Sequence, residues 1–395
     1  MSGAILVLNA GSSSVKFSLF ASAGAEEPEL LARGRIAGLG TEPRFTVRDG
    51  GGRILAERRW PAEAAFDHGR AIEVVLRWLE EGGPRVALRA AGHRVVHGGC
   101  EFAAPVRVDG KVLARLEALC PLAPLHQPHN LAGIRALRRR RPGLPQIACF
   151  DTAFHRARPA IADRFALPER LFAEGIRRYG FHGLSYEYVL SALAGLDPEL
   201  AAGRLLVAHL GNGASLCAIR AGRPVDTTMS FTALDGLVMG TRPGSLDPGV
   251  LLHLLEAGGM GTAELADLLY HRSGLLGVSG LTSDMRELLA RRSEPAAALA
   301  IELFVYRAVR ELGALVAVTG GLDGLVFTGG IGEHAPVIRA RICRALDWLG
   351  LRLDEAANER GAAVISAPGS RVRVRVMATD EERMIARHTL ALLGG

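Results

Sequence analysis

The chain has 395 residues, with 47 Lys and Arg against 41 Asp and Glu, a formal net charge of +6 and 49% hydrophobic residues. That length supports two domains with sizeable cores, and the composition is that of a soluble globular protein, not of a disordered or membrane-spanning one. The opening residues lack the pattern of a secretory leader, and the five cysteines are scattered, with no CxxC pair, so a cytoplasmic setting without disulfide framework or zinc knuckle is expected.

Ile5 to Leu8 is an apolar run, Asn9-Ala10-Gly11-Ser12-Ser13-Ser14 is a small polar turn, and Val15, Phe17 and Leu19 alternate with polar residues. Two such runs about a Gly/Ser turn predict a hairpin. Its closely spaced N–H groups suit a phosphate, with Lys16 just past the turn as a point charge. An ordinary polar turn fits the same residues. Residues 29–39 and 44–55 read as strands, and Ile72, Val75, Leu76 and Leu79 have helical spacing stopped by Gly82-Gly83. Residues 86–91 form a strand that feeds Gly92-His93-Arg94-Val95-Val96-His97-Gly98-Gly99, and 131–137 is helical. Arg138 to Arg141 is a basic run that ends at Pro142, a solvated helix end more than a nucleic-acid patch. The modest positive balance suits a small anionic substrate.

A short apolar strand over 147–150 ends at Asp151-Thr152. Asp151 fits chemistry at a strand's C-terminal edge or a helix cap equally well. The loop over 177–182 carries aromatics and one histidine, a residue that is structural more often than catalytic. Residues 205–219 repeat the strand, Gly/Asn/Ser turn and strand, and two such hairpins predict a duplicated domain. Asn212-Gly213 is also a plain type I′ turn signal. Gly240-Thr241-Arg242-Pro243-Gly244 is a loop that offers Arg242 outward. Helices are predicted over 287–292 and 295–318, and strands over 325–327 and 372–377. Asp380 caps a last helix with Glu381 and Glu382 in its first turn.

Gly330, Gly332 and Ala335 fit a dinucleotide-binding GxGxxG/A pattern, with Asp354 further on. No clean βαβ unit follows them, and no GxxxxGK[ST] stretch exists, which excludes a P-loop kinase. His93 with His97, or His126 with His129, lack a third zinc ligand at convincing spacing.

The combination is more specific than its parts: two phosphate-type hairpins, a third glycine loop after a strand, and one aspartate at a strand end. That layout resembles the actin, sugar kinase and heat-shock ATPase superfamily, whose members clamp a nucleotide between two ribonuclease H-like domains. Within it the chain closely resembles the acetate kinase family, through LVLNAGSSSVKFSLF, GHRVVHGG, LAPLHQPHN, CFDTAFH, RRYGFHG, HLGNGASLCAI, MGTRPG, LTSDMREL, FTGGIGEH and TDEE. The resemblance implies an α/β fold of two ribonuclease H-like domains, a duplicated mixed-sheet fold with the active site in the cleft between them. Residues 1–151, completed by 381–395, would form the N-terminal domain, and 152–380 the nucleotide-binding domain. It implies reversible transfer of a phosphoryl group from ATP to acetate, giving ADP and acetyl phosphate, in a homodimer without nucleic-acid or membrane partners.

Residue by residue, the resemblance implies a Mg²⁺ site, open also to Mn²⁺, at Asn9 and Glu381, with Lys16 near the ATP phosphates. Arg94 and Arg242 would hold the carboxylate and the phosphoryl group, Asp151 would be the acid/base-type residue and His182 would stabilise the transition state. ATP would lie against His209, Leu210, Gly211, Asn212 and Gly213, against Asp284, Met285 and Arg286, and against Gly330, Ile331, Gly332, Glu333 and His334. Val96, Leu125 and Phe181 would line a methyl pocket. The chain departs from the family at Ala233 (usually Pro), Pro243 and Ser245 (usually TRSGD), His334 (usually Asn) and Tyr186 (usually His). These changes touch acyl-chain preference and loop stability. A propionate or butyrate kinase of the same fold is the near alternative. A nucleotide-driven clamp without a metabolite substrate is the distant one, and no peptide-binding domain follows to suit it.

Overall fold

The computed structural model describes residues 3–11, 13–22, 27–62 and 66–394, so Ser12 of the opening turn and Gly395 of the C-terminal segment lie outside the described residues. Contacts divide the chain into two compact units, Met1–Phe154 with Asp380–Gly395, and His155–Thr379.

In the first unit, β1 (Gly3–Ala10) and β2 (Ser14–Ala21) form the expected hairpin, with Leu6 opposite Leu19 and Asn9 opposite Lys16. β3 (Leu30–Ala37), β4 (Arg44–Asp49) and β5 (Ile54–Arg59) continue the antiparallel meander. The single strand expected over 44–55 is broken because the Asp49 carboxylate accepts from the Gly51 and Arg53 N–H groups and closes a turn. α1 (His68–Glu81) starts where Asp67 accepts from the Arg70 N–H and ends at Gly82, as its spacing predicts. β6 (Ala87–Val95) runs further than expected, through Gly92. A Cβ at Gly92 would lie 2.5 Å from Ile385 Cγ2, so the glycine admits the C-terminal helix Glu381–Gly394 onto the sheet. β7 (Val106–Arg107), α2 (Gly110–Ala118), α3 (Gln127–Arg140) and β8 (Gln146–Phe150) complete the unit.

The strand order is β5-β4-β3-β2-β1-β6-β8-β7, with β1, β6 and β8 parallel. Val15, Phe17 and Leu19 share one core with Ile72, Val75, Trp78 and Leu137, so α1 and α3 cover one face. Side chains alternate across a strand. Asn9, Lys16 and Arg94, two positions along from Val7, Ser18 and Gly92, therefore stand on the opposite face, with the C-terminal helix.

The second unit opens with α4 (Glu169–Ala173), α5 (Gly183–Leu196) and α6 (Pro198–Ala202). The second predicted hairpin is β9 (Arg204–Leu210) and β10 (Ala214–Arg220), followed by β11 (Arg223–Thr227). An excursion then carries α7 (Pro248–Glu256), α8 (Thr262–His271), α9 (Gly274–Ser279) and α10 (Met285–Ala290). The long helix α11 (Pro295–Thr319) buries Ile301, Phe304, Leu312 and Leu315. After it come β12 (Gly324–Thr328), α12 (Gly329–His334), α13 (Pro336–Ala345), α14 (Glu355–Glu359) and β13 (Arg373–Val376).

The order β11-β10-β9-β12-β13 repeats β3-β2-β1-β6-β8, with β9, β12 and β13 parallel as β1, β6 and β8 are. The duplication expected from two glycine hairpins is thus a duplication of topology: hairpin, third antiparallel strand, two parallel strands. This is the α/β, ribonuclease H-like mixed sheet built twice. Gly330 and Gly332 belong to a helix, and Asp354 caps α14 by accepting from the Ala357 N–H, which accounts for the dinucleotide-like spacing without a dinucleotide site. Among the described residues no helix is long and apolar enough to cross a membrane.

Candidate active site

In the first unit, Arg94 and Asp151 meet at the C-terminal ends of neighbouring parallel strands. Arg94 Nε donates to Asp151 Oδ1 at 3.0 Å and Nη2 to Oδ2 at 2.7 Å, a two-bond fork onto a buried carboxylate. Asp151 therefore stands at the strand edge, and its carboxylate serves an arginine, not a helix cap. Glu381, at the start of the C-terminal helix, lies 3.6 Å from Arg94 Nε. Burial alone would lower the Arg94 pKa, but the Asp151 and Glu381 carboxylates outweigh it and raise the pKa above its usual value. Asp380 Oδ1 accepts from the Arg383 N–H and caps that helix, as expected.

The loop after β6 is held by polar side chains of the LAPLHQPHN and CFDTAFH segments. Asn130 Oδ1 accepts from the Val96 N–H while its Nδ2 donates to the Ala10 carbonyl. Gln127 accepts from the His97 N–H and donates to the His97 carbonyl, and Thr152 Oγ1 accepts from the Gly98 N–H. Both amides come from the Gln-Pro-His-Asn turn that opens α3, where Pro marks the first helical turn. Val96 is buried and Leu125 half-buried in this unit. Burial pushes His93 and His97 down to about 4, so both are neutral at pH 7, and His129 stacks on His68. Among the described residues no group of three or more His, Cys, Asp or Glu is placed to hold a metal ion.

In the second unit, two cationic or proton-bearing groups face one glycine. A Cβ on Gly213 would lie 2.7 Å from Arg242 Nη2 and 3.3 Å from His182 Nε2. His182 precedes α5 in the left-handed region, at φ 57° and ψ 23°, which costs a non-glycine residue on the order of 1 kcal/mol or more. The strain is held by contacts: His182 Nδ1 bonds Ser215 Oγ at 2.8 Å, the ring stacks on His209 at 4.3 Å, and Tyr186 also bonds Ser215. Ser185 Oγ bonds His209 Nδ1 at 2.8 Å, so the Ser185-Tyr186 departure puts a phenol into this layer. Phe181 is buried, and its carbonyl accepts from His155 Nε2.

Arg242 is not offered outward. Burial pushes its pKa down to about 10, and Nη1 donates to the Ala233 carbonyl at 2.7 Å. The loop is closed on both sides. Asp235 accepts from Ser230 Oγ, from Ser245 Oγ at 2.7 Å and from the Gly236 N–H, so Ser245 ties the loop where the family usually has an acid. Gly244, at φ 74°, leaves no room for a Cβ between the Gly236 and Leu237 carbonyls. Tyr270 stands beside Arg242, and the Thr241 hydroxyl donates to the Tyr270 carbonyl.

A cavity of about 460 Å³ in the same unit is lined by Gly211 and Asn212, by Ser283 to Arg286 and by Gly330, Ile331, His334 and Ala335. Three segments far apart in sequence thus meet around one space of small-molecule size. Gly329, at φ 77°, lets α12 approach the hairpin: a Cβ there would lie 2.8 Å from the Leu210 carbonyl oxygen. His209, Leu210, Gly213, Gly332 and Glu333 stand beside the cavity residues in sequence without lining it; Glu333 accepts from the Gly329 N–H. Arg286 forks back onto Asp284 and is largely exposed. Lys16 belongs to the first unit.

Fold and site together define a two-unit α/β protein with an arginine–carboxylate cluster at strand ends in one unit and a glycine-lined small-molecule cavity in the other. The chain belongs to the acetokinase family, whose profile matches residues 4–387. It is 53% identical to an acetate kinase of Methylocella silvestris over 100% of this chain and 98% of that protein. Identity to an acetate kinase of Rhodopseudomonas palustris is also 53%, over all of both chains. Among solved structures, the acetate kinase of Porphyromonas gingivalis aligns with a TM-score of 0.88 at 38% identity, over 99% of this chain and 100% of that one. A propionate kinase of Francisella tularensis aligns with a TM-score of 0.91 at 37% identity, over 98% and 99%.

Proposed function

We propose that this chain is an acetate kinase, transferring the γ-phosphoryl group of ATP reversibly to acetate to give ADP and acetyl phosphate. The observation that carries the reading is the pair Arg242 and His182 facing Gly213, next in sequence to the Gly211-Asn212 wall of the cavity. Acetate is already an anionic nucleophile at neutral pH. One of its oxygens bonds the γ-phosphorus as the bond from that phosphorus to the β,γ-bridging oxygen breaks, and ADP leaves with the electron pair. No general base is needed. The barrier lies in holding two anions together and in charge on the equatorial oxygens. Arg242 forks onto that charge and His182 Nε2 supplies a further donor. Asp151 acts as the orienting carboxylate of Arg94, which holds the substrate anion; the two-bond fork supports this over an acid/base role. Val96, Leu125 and Phe181 exclude water from the acetate methyl. His209 to Gly213, Asp284 to Arg286 and Gly330 to His334 hold the nucleotide, with Lys16 near its phosphates.

Asn9 and Glu381 fit Mg²⁺, or Mn²⁺, by the chemistry of their donors: an amide and a carboxylate oxygen on one face of the first unit. Mg²⁺ takes few protein oxygens and leaves the rest to water and phosphate. When bound, the metal neutralises charge on the transferring phosphates. A cytoplasmic homodimer is part of the same proposal, and light scattering of the purified protein tests the dimer.

Ala233 favours a second reading, use of a longer acyl chain. It lacks the ring that Pro places there, and the freed volume is worth roughly 1 kcal/mol per methylene buried. Trapping acyl phosphate with hydroxylamine, using acetate, propionate and butyrate, tests both readings. Acetate should give acyl phosphate, propionate should fall within about tenfold of it in kcat/KM, and Ala233→Pro should widen that gap. ATP hydrolysis without acyl phosphate would overturn the kinase reading. An unchanged ratio in Ala233→Pro would overturn the role of Ala233.

A further inference from the structure

The outer wing of the first sheet, β2 to β5, has one face in the core and one face that no segment of α1 or α3 covers. The core face carries Val15, Phe17, Ala32, Ile36, Phe45 and Val47. Alternation puts Lys16, Arg33, Arg35, Arg44, Thr46 and Arg48 on the other. The C-terminal helix reaches this face at β2, and beside it lies a cavity of about 420 Å³ lined by those six residues, the Phe17-Gly34 floor and Glu382.

The register makes this grid costly. Lys16 stands directly opposite Arg35, Arg33 opposite Arg48, and Arg44 opposite Arg59. Like charges directly opposite destabilise a sheet. Charged residues on an edge strand guard against pairing with other chains, but β3 and β4 are interior strands, and that need does not extend to Arg33, Arg35 or Arg48. Counter-charge is sparse. Arg44 and Arg59 share Glu57, Arg33 lies 3.6 Å from Asp380, and Arg48 donates to the Gly52 carbonyl. Among the described residues no carboxylate pairs with Lys16 or Arg35. Glu382 is the one acid of the lining.

We propose that this cavity binds a small molecule carrying two or more phosphoryl groups, held by Arg33, Arg35, Arg44 and Arg48, none of which has a place among the proposed substrate residues, with Lys16 at the border toward the ATP phosphates. Opposed cations about 5 Å apart, repeated about 7 Å along the strands, offer forks to several phosphoryl groups in a row, and the Thr46 hydroxyl adds a neutral donor. The volume suits a small metabolite and far exceeds a single phosphate. An added polyanion relieves the like-charge cost, so binding stabilises the first unit.

Titration calorimetry with inorganic tripolyphosphate, without divalent metal and with ADP saturating, tests the site. Parent protein should bind one equivalent and melt at a higher temperature with tripolyphosphate present. Arg35→Gln/Arg48→Gln should bind at least about tenfold more weakly and lose the thermal shift, with unchanged kcat. The control Arg53→Gln/Arg58→Gln, on the same wing but outside the lining, should bind as the parent does. Inorganic phosphate should bind far more weakly than tripolyphosphate. No binding, binding abolished by ADP, or equal loss in the control pair would each overturn the proposal. If the double variant does not fold, Arg35→Gln alone carries the same comparison.

Discussion

Gly274→Ala asks whether the half-buried placement of Arg242 depends on one missing methyl group. Gly274 stands at φ 62°, where an L side chain costs about 1–2 kcal/mol before any contact is counted. Its Cβ would lie 2.2 Å from the Met239 carbonyl oxygen, 2.7 Å from the Arg242 carbonyl oxygen and 2.8 Å from the Arg242 nitrogen. All three are backbone atoms and cannot swing aside as a side-chain tip can. The turn they form is closed by the Met239 N–H on the Arg242 carbonyl at 3.0 Å and by the Leu275 N–H on the Met239 carbonyl at 2.9 Å. Something in that turn must shift, and Arg242 shifts with it. Strain and lost turn bonds together come to about 2–4 kcal/mol, or about 5–10 °C in Tm for a unit of this size. Misplacing a reacting group by about 1 Å can cost on the order of a hundredfold, so kcat should fall about 10- to 100-fold. KM for ATP should change less than kcat, because the contact of this turn with the cavity lining runs through the Gly240 N–H on the Asn212 carbonyl at 3.0 Å and not through the guanidinium. Thermal melts and steady-state acyl-phosphate formation well below the melt decide it. A variant that melts with the parent refutes the packing argument. One that melts low but keeps the parental kcat refutes the link from Gly274 to Arg242.

Arg242→Ala should lower kcat by about 10²- to 10⁴-fold, the range for losing an oxyanion donor or arginine finger, and Arg242→Lys should restore only part of it. Near-parental kcat in a folded Arg242→Ala protein would remove the residue from the mechanism. Glu381→Ala should raise the Mg²⁺ concentration for half-maximal rate while leaving the fold intact. An unchanged half-saturation would reduce Glu381 to a helix-dipole partner, worth under about 1 kcal/mol. Burial holds His93 and His97 at about 4, and burial together with Arg158 holds His155 at about 3. Each lies below the unfolded value of about 6.5, so the unfolded chain binds the extra protons: stability is full above about pH 6.5 and falls as pH drops toward 4. The slope approaches about 1.4 kcal/mol per pH unit for each group, and a Tm flat between pH 6.5 and 4.5 would contradict it.

Much of this fold is written locally. The hairpins at Asn9 to Lys16 and His209 to Ser215 carry turn residues between alternating apolar runs, and β8 ends at Phe150, where an apolar run meets the polar pair Asp151-Thr152. Other parts depend on distant contacts. Position 92 of β6 is a glycine where Ile385 and Thr389 need the space, and nothing within residues 86–95 signals a helix some three hundred residues away. α5 is apolar around most of its circumference, so no helical stripe stands out in its sequence. α7 has no buried residue at all, and its Val and Leu run gives no period that separates helix from strand. The Gln127 and Asn130 bonds to the loop after β6 were equally invisible, since an amide's partner is set by tertiary placement. Family resemblance named Arg94 and Arg242 together. It could not say that their surroundings differ.

That difference bears on what each arginine does. Arg94 is matched by Asp151 on two bonds and by Glu381 at 3.6 Å. A guanidinium so compensated is oriented more than it is attractive, and suits fixing a substrate anion in position. Arg242 is half-buried, and among the described residues its hydrogen-bond partner is a carbonyl, with no carboxylate within salt-bridge distance. A pKa of about 10 still leaves it charged at neutral pH. A partly desolvated cation without a counter-charge costs folding energy and attracts incoming charge more strongly than a solvated one. Around it, Gly213, Gly244 and Gly274 each leave out a Cβ that would strike the loop or the guanidinium, and His182 is held in the left-handed region beside it. Strain, desolvation and missing side chains thus gather on the groups proposed to meet the phosphoryl charge, so the cost of arranging them is met on folding and not during the transfer.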